Sequence, residues 1–196
     1  MSRRPNIGAR LLAVAAAACC LLPVPSASAA DVFAAGAPKV VVPGTQQDIP
    51  HAITLVAQAE FAKGVREAPR GSNNSSQIAR YRGALVPRPA PEAWCAIFAS
   101  WVTRKAGAPL GHHGDGIASA AGIQAWAQRT GRWRHKPLPG DVAVFSGHVG
   151  VVVAVHGSRM TTIDGNWSDR VSQVSRARGQ AFGFARVAAG SHLLGR

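Results

Sequence analysis

Residues 139–155 read PGDVAVFSGHVGVVVAV, and the character of the chain changes there. Up to Pro139-Gly140 the apolar residues recur every three to four positions, as they do along helices. Beyond it, DVAVF, HVGVVVAV, MTTID, RVSQV and AFGFARV are short and rich in β-branched residues. Gly, Ser, Asn or Asp separate them, which is the pattern of strands and turns. Helices first and an antiparallel meander afterwards imply an α+β fold, with the helices packed on one side of a sheet of about five to six strands.

Working backwards, residues 94–106 (WCAIFASWVTRKA) form the strongest amphipathic helix. Ile97, Phe98, Trp101 and Val102 share one face, and Gly107 and Pro109 stop it. A loop rich in Gly and His leads from there to a second helical stretch over 117–130. Ahead of Trp94, Pro87, Pro89 and Pro91 forbid regular structure, and GSNNSSQIARYRGAL is a turn-rich connection into a short helix at 77–82. Ile53, Val56, Ala57, Glu60 and Phe61 mark a first helix that Gly64 ends. Residues 30–50 mix Gly, Pro and small residues without periodicity and read as a linker, which leaves one domain over 51–190. The first 29 residues carry Arg3, Arg4 and Arg10, then the apolar run Leu11 to Leu22, then small residues around Ala27 and Ala29. These are the three parts of a secretory signal peptide. The run falls short of the roughly 20 residues a bilayer span needs. The mature chain is therefore expected outside the cytoplasm, with no membrane anchor and as a monomer.

Cleavage at that point changes the cysteine count. Of three cysteines, Cys19 and Cys20 leave with the signal and Cys95 remains alone. A lone cysteine in an exported domain is inert core, an intermolecular link or a reactive thiol. The charge shifts too: three of the 22 basic residues lie in the signal, so 19 remain against nine acids, a balance of about +10. Such a surface favours polyanionic surroundings or simply keeps the protein soluble. Export argues against nucleic acid and for a cell wall with its carboxylates and phosphate polymers.

Cys95 sits at the start of its helix, where unpaired backbone N–H groups and the positive end of the helix dipole stabilise a thiolate. The same N–H groups can hold the oxyanion formed when that thiolate attacks an amide. A base must accompany it. Of the seven histidines, His51 starts the first helix, His192 lies near the chain end, His112, His113 and His135 sit in loops, and His156 ends a strand. His148 opens the apolar strand HVGVVVAV after Ser146-Gly147, where small neighbours leave room for its ring, and it is the expected partner of Cys95. The third group must fix the imidazole tautomer. TTIDGNW offers Asp164 and Asn166, two apart and on one face if the strand continues; Asp-Gly-Asn is equally good hairpin chemistry. Among weaker candidates, His112, His113 and Asp115 suggest a metal, but adjacent histidines converge poorly on one ion.

Trp94-Cys95-Ala96 with Phe98 and Trp101, then Pro139-Gly140-Asp141 leading to His148-Val149-Gly150, then Asp164-Gly165-Asn166, resembles the CHAP family of cysteine, histidine-dependent amidohydrolases and peptidases. The likeness runs from about Ala52 to Val187. It implies a papain-like fold and cleavage of an amide bond in peptidoglycan, by an N-acetylmuramoyl-L-alanine amidase or an endopeptidase. By position, Cys95 is then the nucleophile, His148 the base, Asp164 the orienting acid and Asn166 a supporting polar group. Glu67, Asn73, Asn74 and Tyr81 resemble positions preceding the cysteine in related wall hydrolases, which implies a place lining the cleft or completing the oxyanion hole, although a turn and helix cap account more simply for 73–76. Family members often carry Glu where this chain has Asp164, a difference that could move the orienting role toward Asn166. The acidic calcium loop of some members is missing, since residues 68–91 contain no Asp or Glu; no metal and no cofactor are expected. The expected partners are peptidoglycan and anionic wall polymers. Two other functions remain open: a non-catalytic wall-binding module, and an amidase toxin acting on neighbouring cells.

Overall fold

The computed structural model describes residues 48–187. The expected signal peptide, most of the expected linker, Cys19, Cys20, His192 and the far end of the expected domain lie outside the described residues. Four helices come first: α1 (Asp48–Ala62), α2 (Ser76–Arg82), α3 (Cys95–Lys105) and α4 (Ala120–Arg129). Six strands follow: β1 (Trp133–Arg134), β2 (Val142–Phe145), β3 (His148–His156), β4 (Arg159–Asp164), β5 (Ser172–Ala177) and β6 (Gly183–Ala185). They form one antiparallel sheet in the order β1-β6-β2-β3-β4-β5. The fold is α+β and of the papain-like kind.

Local chemistry sets most boundaries. The Ser75 hydroxyl accepts from the Ile78 N–H and caps α2, and the Ser119 hydroxyl accepts from the Gly122 N–H and caps α4. The latter explains why α4 begins three residues later than the apolar pattern at Ile117 predicts. Ser100 Oγ of α3 bonds both the N–H and the carbonyl of Ile117 at 2.9 Å, holding that residue off the helix. At the other end α1 opens at Asp48, ahead of the expected domain start at residue 51. The strands β2 and β3 meet at Phe145 opposite His148, joined by Ser146-Gly147, and Gly147 takes a φ of 64° that favours glycine. β3 to β5 continue the expected meander. The edge strand β1 and the return of β6 to the far side of β2 do not follow from local pattern.

The meander alternates its faces. Val142, Val144, Val149, Val151 and Ile163 join the helices in the main core, around Ile53, Ile78, Trp94, Ile97, Phe98 and Ile123. On the opposite face Ala143, Val152, Met160 and Phe184 make a smaller cluster. Because successive strand residues point to opposite faces, His148, Gly150 and Asp164 belong to this second face. Gly165 carries the end of β4 up to the first turn of α3. A Cβ there would stand 2.5 Å from the Phe98 Cβ and 2.9 Å from the Trp94 indole. Close helix packing fixes this glycine, which also opens the turn over 165–168 that joins β4 to β5.

Candidate active site

Three elements converge: the N-terminus of α3, the first residue of β3 and the last residue of β4. Cys95 is the first residue of α3 and is buried. Trp94 supplies no side-chain cap, so the leading N–H groups of the helix keep their donor capacity at the cysteine. The indole of Trp94 is fully buried and donates its Nε1–H to Glu67 Oε1 at 2.8 Å. Glu67 Oε2 accepts the Asn73 N–H at 3.0 Å. One buried carboxylate thus fixes both the residue before the cysteine and the loop beside it.

His148 Nε2 donates to Asp164 Oδ2 at 2.8 Å. That bond commits one ring nitrogen and leaves Nδ1 uncommitted, with Cys95 near enough to favour the charged ring. Burial works against the charged imidazole, but the hydrogen bonds to Asp164 and Cys95, with their negative charge, outweigh it, and its pKa is raised to about 9. The ring is held charged at neutral pH, as the partner of a thiolate must be.

Asp164 is completely buried, and a buried carboxylate must be paired. Its second partner is Arg176 of β5, whose Nη2 also donates to Oδ2. The Arg176 guanidinium lies between two aromatic faces, 4.4 Å from the Phe145 ring centre and 4.6 Å from that of Trp167. The Trp167 ring also stands edge-on to His148 at 5.3 Å. Arg176 was missed by the sequence reading. The signal was available: a buried Asp at the end of one strand calls for a cation on the same face of the next.

The other carboxylate oxygen, Oδ1, faces Gly150, where a Cβ would come within 2.0 Å of it. Only glycine lets β3 pass so close. Gly150→Ala is therefore expected to displace the carboxylate from His148, because Arg176 prevents it from retreating. Overpacking of this kind costs about 1–3 kcal/mol, and amide hydrolysis should fall at least about tenfold. Thermal unfolding and turnover of the variant check this; an unchanged value for both would refute it.

Asn166 behaves differently from the expectation that it shares a face with Asp164. The strand ends at Asp164, and Asn166 takes a left-handed φ of 58°. Its Nδ2 donates to Asn73 Oδ1 at 3.3 Å and has no bond to His148. It ties the two loops flanking the site together. Tyr81 and Asn74 also turn away from the cleft. Tyr81 packs its ring against Trp94, Phe98 and Trp101 and donates its hydroxyl to the buried Glu60 at 2.7 Å; burial and Glu60 push its pKa well up. Asn74 Oδ1 accepts from Arg82. His112 and His113 stack edge to face in a short turn. Among the described residues, no three His, Cys, Asp or Glu side chains gather as metal ligands.

Residues 88–166 match the family model of the CHAP domain. Over that stretch the chain is similar to the CHAP domain. The matched stretch includes Cys95, His148, Asp164 and Asn166, so the CHAP model spans the groups that the geometry brings together. It stops short of Arg176, which the fold supplies from beyond it. CHAP domains are hydrolases of the peptidoglycan amidase and peptidase type. Neither a search of curated proteins nor one of solved structures gives a match.

Proposed function

We propose that this domain hydrolyses an amide bond of peptidoglycan, either between muramic acid and the first alanine or within the peptide. The observation that supports this reading best is the anchoring of His148 Nε2 on buried Asp164, with Cys95 near enough to favour the charged ring. Cys95 attacks the carbonyl carbon as a thiolate, and the N–H groups opening α3 stabilise the tetrahedral oxyanion. His148, as imidazolium, gives its proton to the departing amine, leaving a thioester. The neutral ring then takes a proton from water, which attacks the thioester and releases the acid and the thiolate. Asp164 orients the ring and favours its charged form; Arg176 orients Asp164.

The leader-like first 29 residues and the basic balance of the remainder support a place outside the cytoplasm, against a wall rich in carboxylates and phosphates. Among the described residues no helix is long and apolar enough to cross a membrane. Incubation with purified sacculi should release fragments carrying one new amine and one new carboxylate, located by mass spectrometry. Release of reducing sugar ends without new amines would overturn the proposal.

A further inference from the structure

Segments 65–67 and 169–171 are joined by an isolated antiparallel bridge between Arg66 and Arg170. The Glu67 N–H donates to the Asp169 carbonyl at 2.8 Å, and the Val171 N–H to the Val65 carbonyl at 2.9 Å. Arg66 and Arg170 face each other between these bonds, as a non-hydrogen-bonded pair. Such pairs bring their side chains closest, with Cα atoms about 4.5 Å apart, and like charges placed so are destabilising. Val65, Glu67 and Val171 turn inward and are buried, while both arginines are exposed. Neither guanidinium has an ion pair among the described residues. The acid beside them, Asp169, is bonded by Arg70 at 3.0 Å.

The two arginines and Ser168 line a groove of two adjoining hollows, one of which also holds Glu67, Arg70 and Asp169. Glu67 is engaged by Trp94 and Asn73 and Asp169 by Arg70, so neither acid answers Arg66 or Arg170. This groove extends to Trp167, the residue that stands against His148. Glu67 forms its inner wall and is the same residue that holds Trp94 ahead of Cys95. Through Glu67 and Trp94 on one side and Trp167 on the other, the groove adjoins residues that flank Cys95 and His148.

We infer that Arg66 and Arg170 form a subsite for a carboxylate on the peptide part of the substrate. The inference rests on the proposed hydrolase reading and adds to it which substrates are preferred. Peptidoglycan stems carry free carboxylates, and a stem bound at Cys95 brings one to the groove already tethered. Planar guanidinium forks suit the two oxygens of a carboxylate.

The test measures binding to the Cys95→Ala protein with three probes: a disaccharide–tetrapeptide with free carboxylates, its amidated counterpart, and poly(glycerol phosphate). The free acid should bind about tenfold more tightly than the amide, as loss of a charge-assisted contact implies. Adding Arg66→Gln and Arg170→Gln should erase this difference, leave binding of the amide unchanged and raise the Tm, since the repulsion is gone. In protein retaining Cys95, the same two substitutions should raise KM for the acid and leave kcat intact. Equal affinity for acid and amide overturns the subsite, and so does a preference that survives both substitutions. Tight binding of the polymer without an acid–amide difference assigns the pair to a wall polymer and likewise overturns it. A preference seen in binding but without turnover supports the subsite and sinks the hydrolase reading alone.

Discussion

Cys95→Ala should lower amide hydrolysis of sacculi by about 10⁴-fold or more while leaving the protein folded. The nucleophile has no substitute, because Cys95 is the one free cysteine among the described residues. The oxyanion donors and bound substrate would remain, so binding should survive. Stability should change little, since alanine keeps the small apolar volume at the helix start and removes only a sulfur. Amine release and thermal unfolding measured on the same preparation make the check. Turnover above about one per cent of the original would mean that another group attacks the amide and would refute the thiolate mechanism.

Asp164→Asn should be nearly as damaging to activity and far more so to stability. The substitution keeps the shape but removes the only charge that His148 and Arg176 share. Arg176 is 8% exposed and Asp164 is 0% exposed, and breaking a buried pair from one side costs about 3–5 kcal/mol. Turnover should fall by about 10²–10⁴-fold, because the ring loses its fixed tautomer. The pH dependence carries a separate signature. A histidine whose folded pKa is about 9 rather than its ordinary 6.5 stabilises the native state fully below pH 6.5, and that stabilisation fades as pH rises through 9. The unsubstituted protein should therefore lose Tm between those limits, and kcat/KM should decline on the alkaline side near pH 9. In the variant burial is opposed only by Cys95, so the ring deprotonates earlier and both features move to lower pH. Unfolding curves and rate profiles that superimpose for the two proteins would exclude Asp164 as the partner that keeps His148 charged. Adding Arg176→Gln should recover much of the stability and none of the rate, which separates the two roles of the carboxylate.

The parts of this protein legible in its sequence are those fixed by local periodicity. The face of α3 made by Ile97, Phe98 and Val102, the β-branched run of β3, and the turn and cap over residues 73–76 ahead of α2 all follow from neighbours a few residues apart. Cys95 was legible because its place at a helix start has a chemical meaning of its own. The roles of Asp164 and Asn166 were not separable, since the choice turns on a backbone angle at residue 166. Arg176, the edge strand β1 and the Arg66–Arg170 bridge depend on which distant segments meet, and no local pattern carries that information. Gly150 and Gly165 show the same limit. Each reads as an ordinary strand or turn glycine until its neighbour across the fold is known.

The division of the site between α3 and the sheet also bears on when the chain becomes competent. Cys95 can take its place as soon as a single helix forms, whereas His148, Asp164 and Arg176 meet only after three consecutive strands have zipped in register. These strands follow one another in the chain, whereas α3 lies far upstream, and contacts between distant segments close late because their loop entropy must be overcome first. A growing or unravelled chain therefore carries its sulfur without the means to ionise it productively. Catalytic power should return in refolding experiments only once α3 has docked on the assembled sheet.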